Sequence, residues 1–406
     1  MLYEAVFKAA QMKTVHPSFE GPNPGSRDFM CRFKMLILYA ILLLQTPRIT
    51  ALKTTRMNLP MLFNFKVRKT PGMAVVKEGN KYIGQRHMRR QLSKTVMNSR
   101  DAIYLVDVYL GTKMQKVTVI LDTGSADLWV PHHAYDPLLS SESYDTGTLF
   151  QIEYLDGVSV DGFYYKDDFR LNPDGFALPG LQFCRANIDG IGVLGIGDRN
   201  QQVSRKPYDN LPWALQKAGL IPKASYSLFL GPSHQSGTII FGGIDTEKYL
   251  GELETYAISR HSGGLAIDLE SIIIANRKFP VNSPVLLDSG TSLSILSGEV
   301  LNEMDGLFNT TTLIQDGIEY RVTSCDQPSD KFIHFNFGKN MVLLSYADAV
   351  HRQESGVCLL GFAYHKNMQI LGDVFLRKAY VYYDLSERTI SIAQASYSNK
   401  SNIVSA

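Results

Sequence analysis

The chain has 406 residues, 45% of them hydrophobic and 20% charged, which excludes a disordered chain and allows two or three folded units. The net charge of +2 hides a division: residues 52–90 carry ten Lys and Arg against Glu78 alone, whereas residues 91–406 carry 25 basic and 35 acidic side chains. A basic segment before an acidic body reads as a leader that neutralises that body, so no nucleic-acid partner is expected.

In chain order, residues 1–29 sit awkwardly before the first recognisable element and fit a gene-model extension, with translation starting at Met30 or Met35. Arg32 and Lys34 then introduce an apolar run over 35–44, and small residues follow at Thr50-Ala51. That is the pattern of a secretory signal over 30–51. The run is about half of what a bilayer span needs, so a membrane anchor is the weaker reading. The basic segment 52–90 follows as a propeptide. Cys31 leaves with the leader. A secreted context favours one bridge among Cys184, Cys325 and Cys358, with Cys325 and Cys358 the natural pair.

From Ala102 onward, short runs rich in Val, Ile, Tyr and Phe are broken by Gly, Asp, Asn and Pro at close intervals. Runs at 104–109, 117–121, 238–241 and 381–383 predict strands of a mostly-β fold. Helical signals are few, chiefly 211–218, which Gly219 would end.

An internal repeat organises this part. Val119-Ile120-Leu121-Asp122-Thr123-Gly124-Ser125 recurs as Val285-Leu286-Leu287-Asp288-Ser289-Gly290-Thr291. Val193-Leu194-Gly195 follows the first copy and Ile370-Leu371-Gly372 the second, with Gly195 and Gly372 lying 73 and 84 residues after their aspartates. Two copies of one lobe, each supplying an aspartate, are the simplest account.

Three apolar residues and then Asp-Thr/Ser-Gly-Ser/Thr describe a buried strand that runs into a tight turn and presents a carboxylate. Glycine lets backbone pass closely, and the hydroxyls can hydrogen-bond the carboxylate. One such tetrapeptide reads by default as a surface turn; two in matched apolar settings do not. Two adjacent carboxyls share one proton, because ionising both is costly. The ionised member can activate a water that attacks a peptide carbonyl, while the protonated member donates to the carbonyl oxygen. Activity peaking at acid pH follows.

With these residues in view, the chain resembles the pepsin-like aspartic proteases from about residue 91 onward. Within them it is most similar to the secreted yeast enzymes, the candidapepsins, with yapsins next. The resemblance rests on the ten residues Asp122 to Pro131, on Ile240-Phe241-Gly242-Gly243-Ile244-Asp245 and on Ile370-Leu371-Gly372-Asp373-Val374-Phe375-Leu376. The stretch Tyr383-Asp384-Leu385 through Ile390-Ser391-Ile392-Ala393-Gln394 also fits.

The resemblance implies a bilobal, mostly-β fold of two β-barrel-like lobes around a peptide cleft. The N-terminal lobe with its flap would span 91–250, the C-terminal lobe 251–396, and a polar tail 397–406. Asp122 and Asp288 would be the catalytic pair. Thr123, Gly124, Ser125, Ser289, Gly290 and Thr291 would support them, with Ser125 and Thr291 as buttresses. Tyr154 would be the flap tyrosine, hydrogen-bonded to Trp129, with Asp156 and Gly157 at the flap tip against substrate. Plain packing in the hairpin is the alternative for Tyr154 and Trp129.

The sequence departs from the pattern in places. Leu155 stands where relatives have glycine after the flap tyrosine, which would reshape the tip and narrow specificity. Residues 132–150 contain no cysteine to match the relatives' N-lobe disulfide, so Cys184 reads as a buried spare thiol. None of the nine histidines forms a zinc-protease motif and no nucleotide-binding glycine loop is present, so no metal or cofactor is expected.

Arg89-Arg90 fits the cleavage site of a kexin-type processing protease. Asn309-Thr310-Thr311 and Asn399-Lys400-Ser401 are N-glycosylation sequons. The end of the chain lacks the hydrophobic tail of a lipid-anchored wall protein, which favours free secretion. The expected product is a secreted, monomeric acid endopeptidase acting on polypeptides. A narrow, yapsin-like processing protease and a catalytically dead peptide-binding relative are the alternatives.

Overall fold

The computed structural model describes residues 92–99, 103–154, 158–260, 262–315, 318–352, 358–366 and 368–406. The signal-like run, the basic segment 52–90 with Arg89-Arg90, and Leu155, Asp156 and Gly157 lie outside these residues.

The two copies of the repeat fold into the same strand arrangement. In the first, Gln115–Asp122 pairs antiparallel with Ile103–Leu110 and parallel with Gly192–Gly195. Gly192–Gly195 pairs antiparallel with Leu128–Pro131, which runs parallel to Leu178–Ala186. In the second, Arg277–Leu287 pairs antiparallel with Ala266–Ile274 and parallel with Ile370–Leu371. Ile370–Leu371 pairs antiparallel with Ser294–Leu296, which runs parallel to Phe362–Tyr364. The repeated apolar triplets are the ends of Gln115–Asp122 and Arg277–Leu287. The apolar-apolar-Gly elements are the strands laid beside them.

Burial explains the residue pattern. Gln115–Asp122 alternates at first, with Val117 and Val119 inward, and then buries Ile120, Leu121 and Asp122 in succession. A strand end covered on both faces needs such a continuous apolar run. Gly192 and Gly195 are required because a Cβ at either would lie within 2.6 Å of neighbouring backbone atoms.

An antiparallel platform links the halves, and its last strand also pairs with Ile103–Leu110 of the first half. Its strands, in order, are Tyr249–Ala257, Thr389–Ala395, Ala379–Asp384, Ser225–Phe229, Gly237–Phe241 and Leu92–Ser99. The lobe boundary at residue 250 expected from the resemblance falls inside the first of these. Ile403–Ser405 pairs with Gly243–Asp245, so the polar tail carries a strand of its own.

The helix Leu211–Lys217 starts on Pro212 in its first turn and buries Leu211, Pro212 and Leu215; Gly219 beyond it takes φ +67°. A second helix, Gly298–Phe308, buries Val300, Leu301, Met304 and Phe308 along one face. No described helix is long and apolar enough to cross a membrane.

Candidate active site

Each Asp-Thr/Ser-Gly-Ser/Thr turn holds its carboxylate with the same two donors. The Gly124 amide donates to Asp122 Oδ1 at 2.7 Å, and the Ser125 hydroxyl donates to Oδ2. The Gly290 amide donates to Asp288 Oδ1 at 2.8 Å, and the Thr291 hydroxyl donates to Oδ2 at 2.6 Å. Both aspartates are buried, each 6% exposed, so these donors replace water that the carboxylates have lost.

The residues between aspartate and glycine lock the two turns together. Thr123 Oγ1 donates to the Leu287 carbonyl at 2.8 Å and accepts from the Ser289 amide at 3.0 Å. Ser289 Oγ reciprocates, donating to the Leu121 carbonyl at 2.8 Å and accepting from the Thr123 amide at 3.2 Å. Four buried backbone groups are thereby satisfied across the pseudo-symmetric junction.

The glycines set the approach of the carboxyls. A Cβ on Gly124 would lie 2.5 Å from Asp288 Cγ, and a Cβ on Gly290 would lie 2.5 Å from Asp122 Oδ1. Each turn therefore presses bare backbone against the opposite aspartate. Burial, and then the charge of Asp288, push the Asp122 carboxyl above the usual carboxylate range. A buried pair of this kind retains one proton where free aspartates would both be ionised.

Trp129 Nε1 donates to the Tyr154 hydroxyl at 2.6 Å. Trp129 belongs to a buried cluster with Phe150, Tyr164, Cys184 and Val193, against which Tyr154 packs. The Tyr154 amide donates to the Val158 carbonyl at 2.9 Å, closing the base of the hairpin. Packing and hydrogen bonding thus coexist at this pair.

The chain bears a match to the family model "Eukaryotic aspartyl protease" over residues 103–395. The chain belongs to this family. As an aspartyl protease it is a peptide hydrolase, and polypeptides are its substrates. It is 34% identical to Candidapepsin-1 of Candida albicans over 373 residues, covering 84% of this chain and 91% of that one. It is 34% identical to Secreted aspartic protease 4 of Candida albicans, covering 74% and 78%, and 32% identical to Candidapepsin of Candida tropicalis, covering 78% and 84%. The pepsin-like, all-β bilobal fold is the architecture of this aspartyl protease.

Several residues around the protease's two turns were given no role by the sequence. Gln201 Nε2 donates to the Gly124 carbonyl at 2.7 Å, and its Oε1 accepts from the Asp198 amide at 2.9 Å. Asp198 in turn pairs with Arg388. Asp127, within the quoted ten-residue motif, accepts from the Tyr164 and Tyr208 hydroxyls at 2.8 and 2.6 Å and from the Val203 amide at 2.9 Å. A buried acid at the head of an apolar strand was the available hint. Asp373, directly after the second apolar-apolar-Gly element, is fully buried, and neither of its oxygens has a hydrogen-bonding partner among the described residues. Burial holds its carboxyl well above the usual range, against the opposing pull of Arg377.

The other singled-out residues lie away from the pair. Cys325 and Cys358 are joined by a disulfide, beside the pairing of Thr323 with Cys358. Cys184 is a free, buried thiol, pushed up by burial. Asn309 is exposed and caps Gly298–Phe308 at φ +47°. Asn399 is exposed, and the hydroxyl of Ser401 in its sequon donates to Asp245 Oδ2 at 2.7 Å.

Proposed function

We propose that this chain is a secreted acid endopeptidase in which Asp122 and Asp288 jointly activate a water molecule. The observation that carries this reading is the reciprocal approach of the two turns, with Gly124 against Asp288 and Gly290 against Asp122. In the working state one proton is shared by the pair. The ionised carboxylate takes a proton from the water as its oxygen bonds to the peptide carbon. The protonated carboxyl donates to the carbonyl oxygen, giving a tetrahedral diol. The proton gained from the water then passes to the leaving nitrogen as the C–N bond breaks, while a diol hydroxyl gives its proton to the other carboxylate as the carbonyl re-forms, so the single shared proton is restored.

Ser125 and Thr291 keep each carboxylate oriented, while Thr123 and Ser289 keep the two turns in register. Trp129 holds the Tyr154 hydroxyl, and the flap-tip residues Asp156 and Gly157 complete the cover over substrate. The basic segment 52–90 keeps the acidic body masked until a kexin-type protease cuts after Arg89-Arg90. The apolar run at 35–44, the sequons at Asn309 and Asn399, and the relatives named as secreted support an extracellular product.

The test is cleavage of a peptide library by the full chain, processed at Arg89-Arg90, between pH 3 and 6. The expected result is internal cleavage that a pepstatin-type inhibitor abolishes. Cleavage only at chain ends, or cleavage insensitive to that inhibitor, contradicts the proposal.

A further inference from the structure

The turn that follows Leu128–Pro131 brings His132 and His133 beside Asp189, which lies in the loop after Leu178–Ala186. One ligand atom from each of the three side chains lies within 4.8 Å of the others, and all three residues are exposed. His133 Nδ1 stands 3.2 Å from Asp189 Oδ1. Zinc binds imidazole nitrogen at about 2.0–2.1 Å and carboxylate oxygen at about 2.0–2.2 Å, so neighbouring ligands of a tetrahedral site lie about 3.3–3.5 Å apart. The His133–Asp189 edge, at 3.2 Å, is already close to that length. His132, whose ligand atom lies within 4.8 Å of the other two, closes the remaining gap by rotation of an exposed side chain.

We propose that His132, His133 and Asp189 form a binding site for a divalent cation of the zinc class. Two imidazoles and one carboxylate are a donor set that suits zinc, copper(II) or nickel better than calcium or magnesium. Three protein ligands leave a fourth position for water.

The backbones that carry the ligands are fixed independently of any ion. Pro131 pairs with Ala186 in parallel register, and the His132 amide donates to the Ala186 carbonyl at 2.9 Å. The Ala134 amide donates to the Pro131 carbonyl at 2.9 Å, closing the histidine turn, and the Asn187 amide donates to the Asp161 carbonyl at 2.8 Å. Each ligand-bearing turn or loop is therefore anchored where it leaves its strand.

An ion here would clip residue 132 to residue 189. Ile188, next to the carboxylate ligand, packs on the cluster that contains Trp129 and supports Tyr154. The clip would stiffen the base of the Tyr154 hairpin. Among the described residues the one disulfide lies elsewhere, between Cys325 and Cys358.

Calorimetric titration of the EDTA-treated full chain with zinc chloride at pH 7.5 tests the proposal. One equivalent should bind with Kd on the order of 10 μM or tighter. His132→Ala, His133→Ala and Asp189→Asn should each weaken binding at least about tenfold, a loss of about 1.4 kcal/mol each. Zinc should raise the melting temperature of the parent and not that of the variants. These are surface positions, so the metal-free variants should melt with the metal-free parent, which separates lost binding from lost folding. Absence of saturable binding overturns the proposal. So does equal affinity in a His132→Ala/His133→Ala double variant, because the ion would then sit on other side chains.

Discussion

At Asp122 the environment acts on the proton before it acts on any substrate. Burial and the neighbouring Asp288 raise its carboxyl above the range of a free aspartate. The folded chain therefore keeps a proton here that the unfolded chain releases near pH ~3.9. A raised carboxyl adds stability that is fully present at low pH and is lost as pH climbs toward the folded value. Asp122→Asn removes this loss, since the amide oxygen can still accept from the Gly124 amide and the Ser125 hydroxyl can turn to accept from the amide nitrogen. At pH 7 the variant should melt about 2–4 °C above the parent, and the gap should narrow toward pH 3. Coincident melting curves at pH 7, or a gap that widens toward acid, would contradict the assignment of a costly buried charge.

The turn residues are an element-scale device, because Thr123 and Ser289 each bond the other's strand. Thr123→Val removes a hydroxyl that serves the Leu287 carbonyl and the Ser289 amide. Leaving those buried groups unmet should cost about 2–4 kcal/mol in urea unfolding. Thr123→Ser should recover most of that loss, since the second half already uses serine at the matching position. Equal loss in both variants would mean that methyl packing rather than the hydroxyl network joins the halves. The repeat in the sequence exposed this arrangement because each copy is local: apolar triplet, turn, and later an apolar-apolar-Gly strand. The helix Leu211–Lys217 was legible for the same reason. The platform was not, because Ala379–Asp384 pairs with Ser225–Phe229 across a long stretch of chain and nothing local encodes that register. Gln201 was invisible for a related reason, since only the folded chain brings its amide to the Gly124 carbonyl. The helix Gly298–Phe308 carries apolar residues at helical spacing, but a run of strands on either side obscured it.

Across the whole molecule, charge and the pair of carboxyls act together. Segment 52–90 carries ten basic side chains, and the chain from Gln91 onward has ten more acidic than basic groups. The masking proposed above rests on their attraction, which should weaken as the body's carboxylates protonate near pH ~4. A full chain with Arg89→Ala and Arg90→Ala, purified at pH 7, should therefore be inactive there and gain activity on titration downward. Full activity at pH 7, or none gained in acid, would leave the basic segment as a folding aid only. The central claim, however, is that one carboxyl from each half must act on the same water. Its most direct test is kcat/KM at pH 4 for the Asp122→Asn and Asp288→Asn variants, each confirmed folded by its melting curve. Each single replacement should lower kcat/KM by about 10³-fold or more, and the double variant should be no worse than either alone. If either single variant kept a tenth of the parent's kcat/KM, the two aspartates would not be one catalytic unit.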